Sequence, residues 1–306
     1  SWKDRFFPVV WDSMFYKGKL YNIQHNGNLQ FIVANKTMFD EVGLGHPLEE
    51  LKSWSDLMRS AKQLTTSAHY GWSVDLTKDS GHYWMEQVFI SAGGRLVAPD
   101  GSELLLNSPA MLETLKLYRQ LYQAKVMPEG ALEHNYIEAT RLYTQGKVAM
   151  AFLSSWFPGV AKEQGYDMKP TDFFVPFPQA DEDFGGFGPL ANMNGGEVYF
   201  MYAKSKHKPE AWEFLKFMSN DETLMAWGTK FAGRIPAIKA ALDAPEAATM
   251  NPQLVELYKR GMLWDKVIPQ PAIPGATQWE PILAQAFVRG LPAPEEQLQS
   301  LLDDAD

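Results

Sequence analysis

The sequence predicts an α/β fold, and three observations carry that expectation. Short apolar runs without polar alternation, FIVA at 31–34, VAMAFL at 148–153 and VYFMYA at 198–203, suit strands covered on both faces, which belong to parallel sheets. Between them lie segments whose apolar residues recur at helical spacing, as in helices that bury one face. With 306 residues the chain exceeds the usual size of one domain, so two lobes, or one large sheet-based unit, are expected.

The helices follow from their starts. In SWSDLMRSAKQLT, Ser53 and Asp56 have the spacing of a capping box, with Asp in place of Glu or Gln, and Leu57, Ala61 and Leu64 fall on one face. In NSPAMLETLKLYRQLY, Ser108 caps, Pro109 takes the first helical position, and Leu112, Leu115, Tyr118, Leu121 and Tyr122 form the stripe. A third helix starts at Pro209 and is expected to turn Trp212, Leu215 and Met218 inward before Ser219 and Asn220 interrupt it; a short one follows to Trp227. PEEQLQSLLDD closes the chain with another. The stretch GKVAMAFLSSWFPG, 146–159, reads as a buried strand that delivers two serines and Trp156 into a Pro-Gly turn. Asn192–Gly196 is the clearest break between segments, fit for a hinge or for backbone that approaches a ligand.

Composition excludes several functions. A formal charge of −9 without a Lys/Arg cluster argues against nucleic acid and anionic membrane surfaces as partners. No apolar run approaches the roughly 20 residues that cross a bilayer. Residues 1–20 lack the pattern of a signal peptide, and the expectation is that any such segment has been removed. The absence of Cys excludes disulfides and thiolate chemistry. No HExxH, GxxxxGK[ST] or GxSxG occurs, and GFGPLA at 186–191 fits GxGxxA only formally, with Pro189 inside it, so it reads as a loop. No metal, cofactor or catalytic residue is expected. Glu86, Glu197 and Glu280 lie in aromatic neighbourhoods and could serve glycoside hydrolysis, but nothing in the sequence selects them. What recurs is a ring beside amide, hydroxyl or imidazole groups at segment junctions: HYW at 82–84, SSW at 154–156, TQW at 277–279. Flat rings pack on the C–H faces of sugars while polar neighbours satisfy hydroxyls, so the pattern favours polyols.

The order of segments resembles the extracellular solute-binding proteins of ABC sugar importers, the family that includes maltose-binding protein. GKLYNIQHNGNLQFIVANKTMFDEVGL at 18–44 is similar to the family stretch ending in a "YNKDLFEKAGL" helix, with Ala34 in place of the usual Tyr, and SWSDLMRSAKQLTT to its "TWDELLEAAKKLT" element. SAGGRL at 91–96, the GKVAMAFLSSW strand, HKPEAWEFLKFMSNDE at 207–222, GRIPA at 233–237 and QWEPILAQAFVRGLPAPEEQLQ at 278–299 continue the match in order.

The resemblance implies a type II periplasmic-binding-protein fold, maltose-binding-like, with a ligand held in a cleft between two lobes that close on it. It puts residues 1–24 and 197–243 in a smaller lobe and 28–191 and 251–306 in a larger one, with crossings near 24–28, 192–196 and 243–251. It also implies that the smaller lobe lacks the family's first strands. Trp156 is then the stacking platform. His25 and Asn26 contact ligand from the first crossing, and Tyr83, with His82 and Trp84, supplies another ring. Gly195 and Gly196 let backbone approach, Trp279 lines the far side, and Arg234 either contacts the ligand, caps a helix or bridges within a lobe. The implied partners are a mono- or oligosaccharide and the permease subunits of the importer. The implied chain is a monomer without enzymatic activity, periplasmic or extracellular, with lipid anchoring left open. A glycoside-active enzyme and a binder of a non-sugar solute on the same fold stand as alternatives.

Overall fold

Capping and burial place the elements along the chain. In the computed structural model the described residues are all but 1, 99–102, 183–191, 231–233, 251, 263–266, 270–275 and 305–306, together with the side chains of 192–194, 228–230, 248–250, 269 and 276–279. The loop GFGPLA therefore lies outside them. Two short helices, Trp2–Arg5 and Pro8–Ser13, and a hairpin pairing Phe15–Tyr16 with Lys19–Leu20 lead into strands β1 (Ile23–Gln24), β2 (Asn26–Gly27) and β3 (Gln30–Asn35), and Asn35 caps α1 (Lys36–Glu41) by accepting from the Met38 N–H. Next come α2 (Trp54–Gln63), β4 (Tyr70–Val74), α3 (His82–Ser91), α4 (Pro109–Gln123), β5 (Val148–Ser154), α5 (Phe157–Glu163) and β6 (Asp172–Val175). The chain continues through β7 (Val198–Tyr199), α6 (Lys208–Met218), α7 (Asp221–Lys230), β8 (Ile235–Pro236), α8 (Ala276–Gly290) and α9 (Leu298–Asp303). None of the described helices is long and apolar enough to cross a membrane.

The capping box at α2 forms in full: the Ser53 hydroxyl accepts from the Asp56 N–H at 3.2 Å, and the Asp56 carboxylate accepts from the Ser53 N–H at 3.2 Å. The Ser108 hydroxyl caps α4 by accepting from the Met111 N–H, with Pro109 at the first helical position. Such caps satisfy N–H groups that the first helical turn otherwise leaves open, each worth about 1 kcal/mol.

The chain divides into two compact units. Residues 30–153, 161–192 and 273–306 form the one that carries the main sheet, ordered β4-β5-β3-β6. β4 runs parallel to β5 with Tyr70 opposite Val148 and Val74 opposite Phe152, whereas β6 is antiparallel to β3, pairing Ile32 with Val175. Every residue of β5 is buried, as an apolar run without alternation requires. Trp72, Phe152 and Phe177 pack with ring centroids 4.6–6.3 Å apart, and Tyr118 meets Phe287 edge-on at 5.4 Å where α4 faces α8. Full burial of each such ring stabilises by about 1.5–3 kcal/mol. Gly71 is required because a Cβ there would run into the Ala61 carbonyl of α2, on which β4 lies.

Asp172, fully buried at the start of β6, accepts from the hydroxyls of Tyr143 at 2.8 Å and Tyr166 at 2.7 Å and from the Lys169 N–H at 2.7 Å.

Residues 1–29, 154–160 and 193–272 form the other unit. Its centre is the stretch 23–28, flanked on one side by 195–199 and on the other by 235–237. Arg5 holds α7 to the N-terminal segment, donating to the Asp221 carboxylate at 2.8 Å and to the Ser219 carbonyl at 2.6 Å.

Several expectations are corrected. The sheet is mixed, because β6 joins it antiparallel, a common edge arrangement in such sheets. The run VYFMYA forms a strand only at Val198–Tyr199; Phe200 and Tyr202 are 71% and 65% exposed, since β7 pairs with β1 and is not sandwiched between layers. Helix α6 buries none of its residues: it packs mainly on α7, leaving Trp212, Phe214 and Phe217 exposed rather than turning Trp212, Leu215 and Met218 inward. Segments 154–160 and 251–272, expected in the larger lobe, group by their contacts with residues 1–29. Local bonding explains both. The Ser155 N–H donates to the Leu29 carbonyl at 2.8 Å, and Tyr258 packs edge-on against Phe7 at 5.8 Å.

Candidate functional site

Two clusters of chemistry-bearing side chains stand out, one in each unit. In the unit of residues 1–29, His25 is pinned by its own backbone: its N–H donates to the Glu197 carbonyl at 3.1 Å, and its carbonyl accepts from Ala237 N–H at 3.4 Å. The imidazole stacks on Tyr199 at 4.4 Å and 23° and lies 4.8 Å from the Trp227 ring of α7. The Asn26 amide nitrogen donates to His25 Nδ1 at 2.9 Å, which leaves the ring proton on Nε2. Asn26 Oδ1 accepts in turn from the Glu197 N–H. Gln24 completes the array, donating to the Asn26 carbonyl at 2.8 Å and accepting from the Ser13 hydroxyl at 2.9 Å.

Burial lowers His25 from 6.5 to about 4, and the Arg234 guanidinium adds to the effect. The ring is therefore neutral at pH 7, flanked by two aromatic rings. A base depressed in the folded state binds its proton more readily once unfolded, so stability is present above pH 6.5 and falls as the pH drops toward 4. Chemical denaturation across that window should show a decline that His25→Gln makes shallower, by roughly 1–3 kcal/mol. An unchanged pH slope in the variant would refute this assignment.

Gly196 sits where a Cβ would meet the Asn26 carbonyl and the Gln24 amide, so the close approach of 196 to the array requires glycine; at Gly195 a Cβ would find only ordinary contact with Asn28. Asn28 and Gly195 exchange both backbone hydrogen bonds, at 2.8 and 3.2 Å. Arg234 pairs with Glu197. Ser154 donates to the Leu29 carbonyl at 2.9 Å and bonds Asn28 Oδ1, so both serines ahead of Trp156 are occupied with chain packing. Trp156 follows, half-buried, its carbonyl accepting from Gly159 N–H at 3.0 Å as α5 begins.

In the other unit, His82, Tyr83 and Trp84 form the first turn of α3. Tyr83 is 41% exposed, its ring 4.0 Å from that of His82, while Trp84 is buried and stacks on Tyr136 at 6.3 Å and 21°. His82 Nε2 lies 3.7 Å from a carboxylate oxygen of Glu280 on α8, and Glu86, one turn further along α3, joins them. Burial pushes the Glu86 carboxyl well up, with Glu280 adding to it; burial also raises Glu280 and lowers His82 to about 4. Trp279 lies on the backbone of α8, but its side chain is outside the described residues.

Sequence reasoning missed Tyr199 and Trp227 as the walls around His25, because they arrive from distant segments and carry no local signal. It noticed Glu86 and Glu280 singly. The His82–Glu86 spacing of one helical turn was the available sign that two ligating groups share a face.

Residues 2–256 match the family profile of bacterial extracellular solute-binding proteins. The chain belongs to that family. A binding protein of Brucella abortus (strain 2308) is 22% identical over 233 residues, covering 76% of this chain and 53% of the relative. The chain thus spans about half the length of the curated relatives it matches. Among solved structures, the maltose-bound MalE3 of T. maritima superposes with a TM-score of 0.84 at 18% identity, over 98% of this chain and 75% of that one. A solute-binding protein of Agrobacterium radiobacter K84 in complex with ribitol does so with a TM-score of 0.80 at 24% identity, over 99% and 74%. This solute-binding protein has the maltose-binding type of fold, and its family is one of extracellular binding proteins.

Proposed function

We propose that this solute-binding protein is the substrate-binding component of an ABC importer, taking up a mono- or oligosaccharide and delivering it to permease subunits without chemical change. The observation that carries the reading is the family match over residues 2–256, joined to relatives described with maltose and with ribitol, both polyhydroxylated and uncharged. The His25 cluster supports it: a neutral imidazole between aromatic rings, beside an amide, suits hydroxyl groups better than an ion.

In this reading Trp156 is the stacking platform and Tyr83 a second ring. His25, Asn26 and His82 supply polar contacts, the backbone at Gly195 and Gly196 approaches the solute, and Trp84, Trp279 and Arg234 frame it. The protein works as a monomer outside the cytoplasmic membrane, free or lipid-tethered. A catalytic role for Glu86 and Glu280 is disfavoured, because a fully buried Glu86 is poorly placed to flank a glycosidic bond.

Isothermal titration against a panel of mono-, di- and oligosaccharides and sugar alcohols tests the reading, with chromatography of the bound sugar after long incubation. Binding of one class with the sugar recovered unchanged is the expected result. Failure of every carbohydrate to bind would sink it, and a released product would favour a glycoside-active enzyme. Light scattering checks the monomer.

A further inference from the structure

His82, Glu86 and Glu280 bring one imidazole and two carboxylates together in a part of the protein with little access to water. His82 and Glu86 stand one turn apart on the same face of α3, and α8 packs against that helix and adds Glu280. One ligating atom from each of the three lies within 4.8 Å of those of the other two. His82 and Glu86 are buried, Glu86 completely. Among the described residues, both carboxylate oxygens of Glu86 and both ring nitrogens of His82 have no hydrogen-bond partner. Buried polar atoms are nearly always satisfied, and a carboxylate left bare in a low-dielectric site carries a large desolvation cost. A bound cation would satisfy Glu86 and His82 at once and offset the repulsion between Glu86 and Glu280.

We propose that His82, Glu86 and Glu280 form a binding site for a divalent transition-metal ion, Zn2+ or Mn2+. The donor set selects that class. An imidazole nitrogen disfavours Ca2+ and Mg2+, which take oxygen ligands, and the absence of thiolate or thioether disfavours Cu+. Ion-to-ligand distances of about 2.0–2.2 Å place ligands roughly 3.3–3.6 Å apart around a tetrahedral centre. The 3.7 Å between His82 Nε2 and Glu280 is already near that spacing, and rotation of the Glu86 carboxylate closes the remainder. Three protein ligands leave one position for water. The ion ties α3 to α8, and the first turn of α3 is the one that carries Tyr83.

The test needs no carbohydrate: the probe is the metal alone. Protein stripped with EDTA and dialysed is titrated with ZnCl2 and, separately, MnCl2, with calorimetry and thermal unfolding as readouts. One equivalent of one of these ions should bind with micromolar or tighter affinity and raise the melting temperature by several degrees. Glu86→Gln and His82→Gln should each weaken binding tenfold or more. Glu86→Gln removes a bare buried carboxylate while keeping its shape, so the stripped variant should be at least as heat-stable as the stripped parent. X-ray absorption of the zinc-loaded protein should show a nitrogen and oxygen shell with one imidazole. The proposal is overturned if the parent protein binds neither ion, or if both variants bind as tightly as the parent, which would put the metal on other groups. Should Glu86→Gln fail to fold, His82→Gln decides.

Discussion

Asp75→Ala should lower the unfolding free energy by about 3–5 kcal/mol. Asp75 is completely buried at the end of β4 and gathers four donors: the Thr77 N–H at 2.9 Å, the Thr77 hydroxyl at 2.7 Å, the Ser80 hydroxyl at 2.5 Å and the Tyr136 N–H at 3.0 Å. Alanine leaves those donors facing a void. The hydroxyls can rotate toward other acceptors, but the two backbone N–H groups cannot, and each buried donor left unpaired costs about 1–3 kcal/mol. Relief of the carboxylate's own desolvation offsets part of the loss. Asp75→Asn, which keeps one acceptor oxygen, should fall between the parent and the alanine variant. Urea denaturation followed by circular dichroism measures the three proteins. A loss below about 1 kcal/mol for alanine would mean that water replaces the carboxylate and that the network does not fix the turn ahead of α3.

That turn illustrates what could be read in the sequence and what could not. The Ser53–Asp56 capping box, the Ser108–Pro109 start and the buried strand 148–154 were legible because their causes lie within a few residues. A cap needs only its own helix, and an unbroken apolar run needs only to be covered. Pairing partners lie far apart, and there the reading failed. Nothing within DFFV at 172–175 says that it joins the sheet antiparallel, and nothing within HKPEAWEFLKFM says that its apolar face is at most half-buried. The candidate site divides along the same line. Trp156 and Gly196 could be proposed from the sequence because the one ends a strand and the other belongs to a glycine pair. Tyr199 and Trp227 around His25, and Glu280 beside His82, come together only through tertiary packing.

Trp156→Ala should weaken binding of the sugar that the titration panel selects by about 1–3 kcal/mol, roughly five- to 150-fold, as loss of an aromatic anchor does elsewhere. The expectation rests on where the residue stands. β5 is buried throughout its length, its last residue Ser154 and the following Ser155 are tied to Asn28 and Leu29, and the next side chain is the first to be only half-buried. A large ring released from the core at the end of a rigid strand offers a flat apolar surface with little conformational freedom to lose, which favours stacking on the C–H face of a sugar. Truncation of a half-buried Trp also costs stability, so affinity and unfolding free energy must be measured together. Trp156→Phe separates the two contributions, because it keeps a ring for stacking while removing bulk. If Trp156 is the platform, phenylalanine retains most of the affinity and alanine loses it, with both variants folded at the assay temperature. If the alanine variant binds the sugar as tightly as the parent but unfolds several degrees earlier, the ring belongs to the packing of residues 1–29, and the platform lies elsewhere, with Tyr83 the next ring to test.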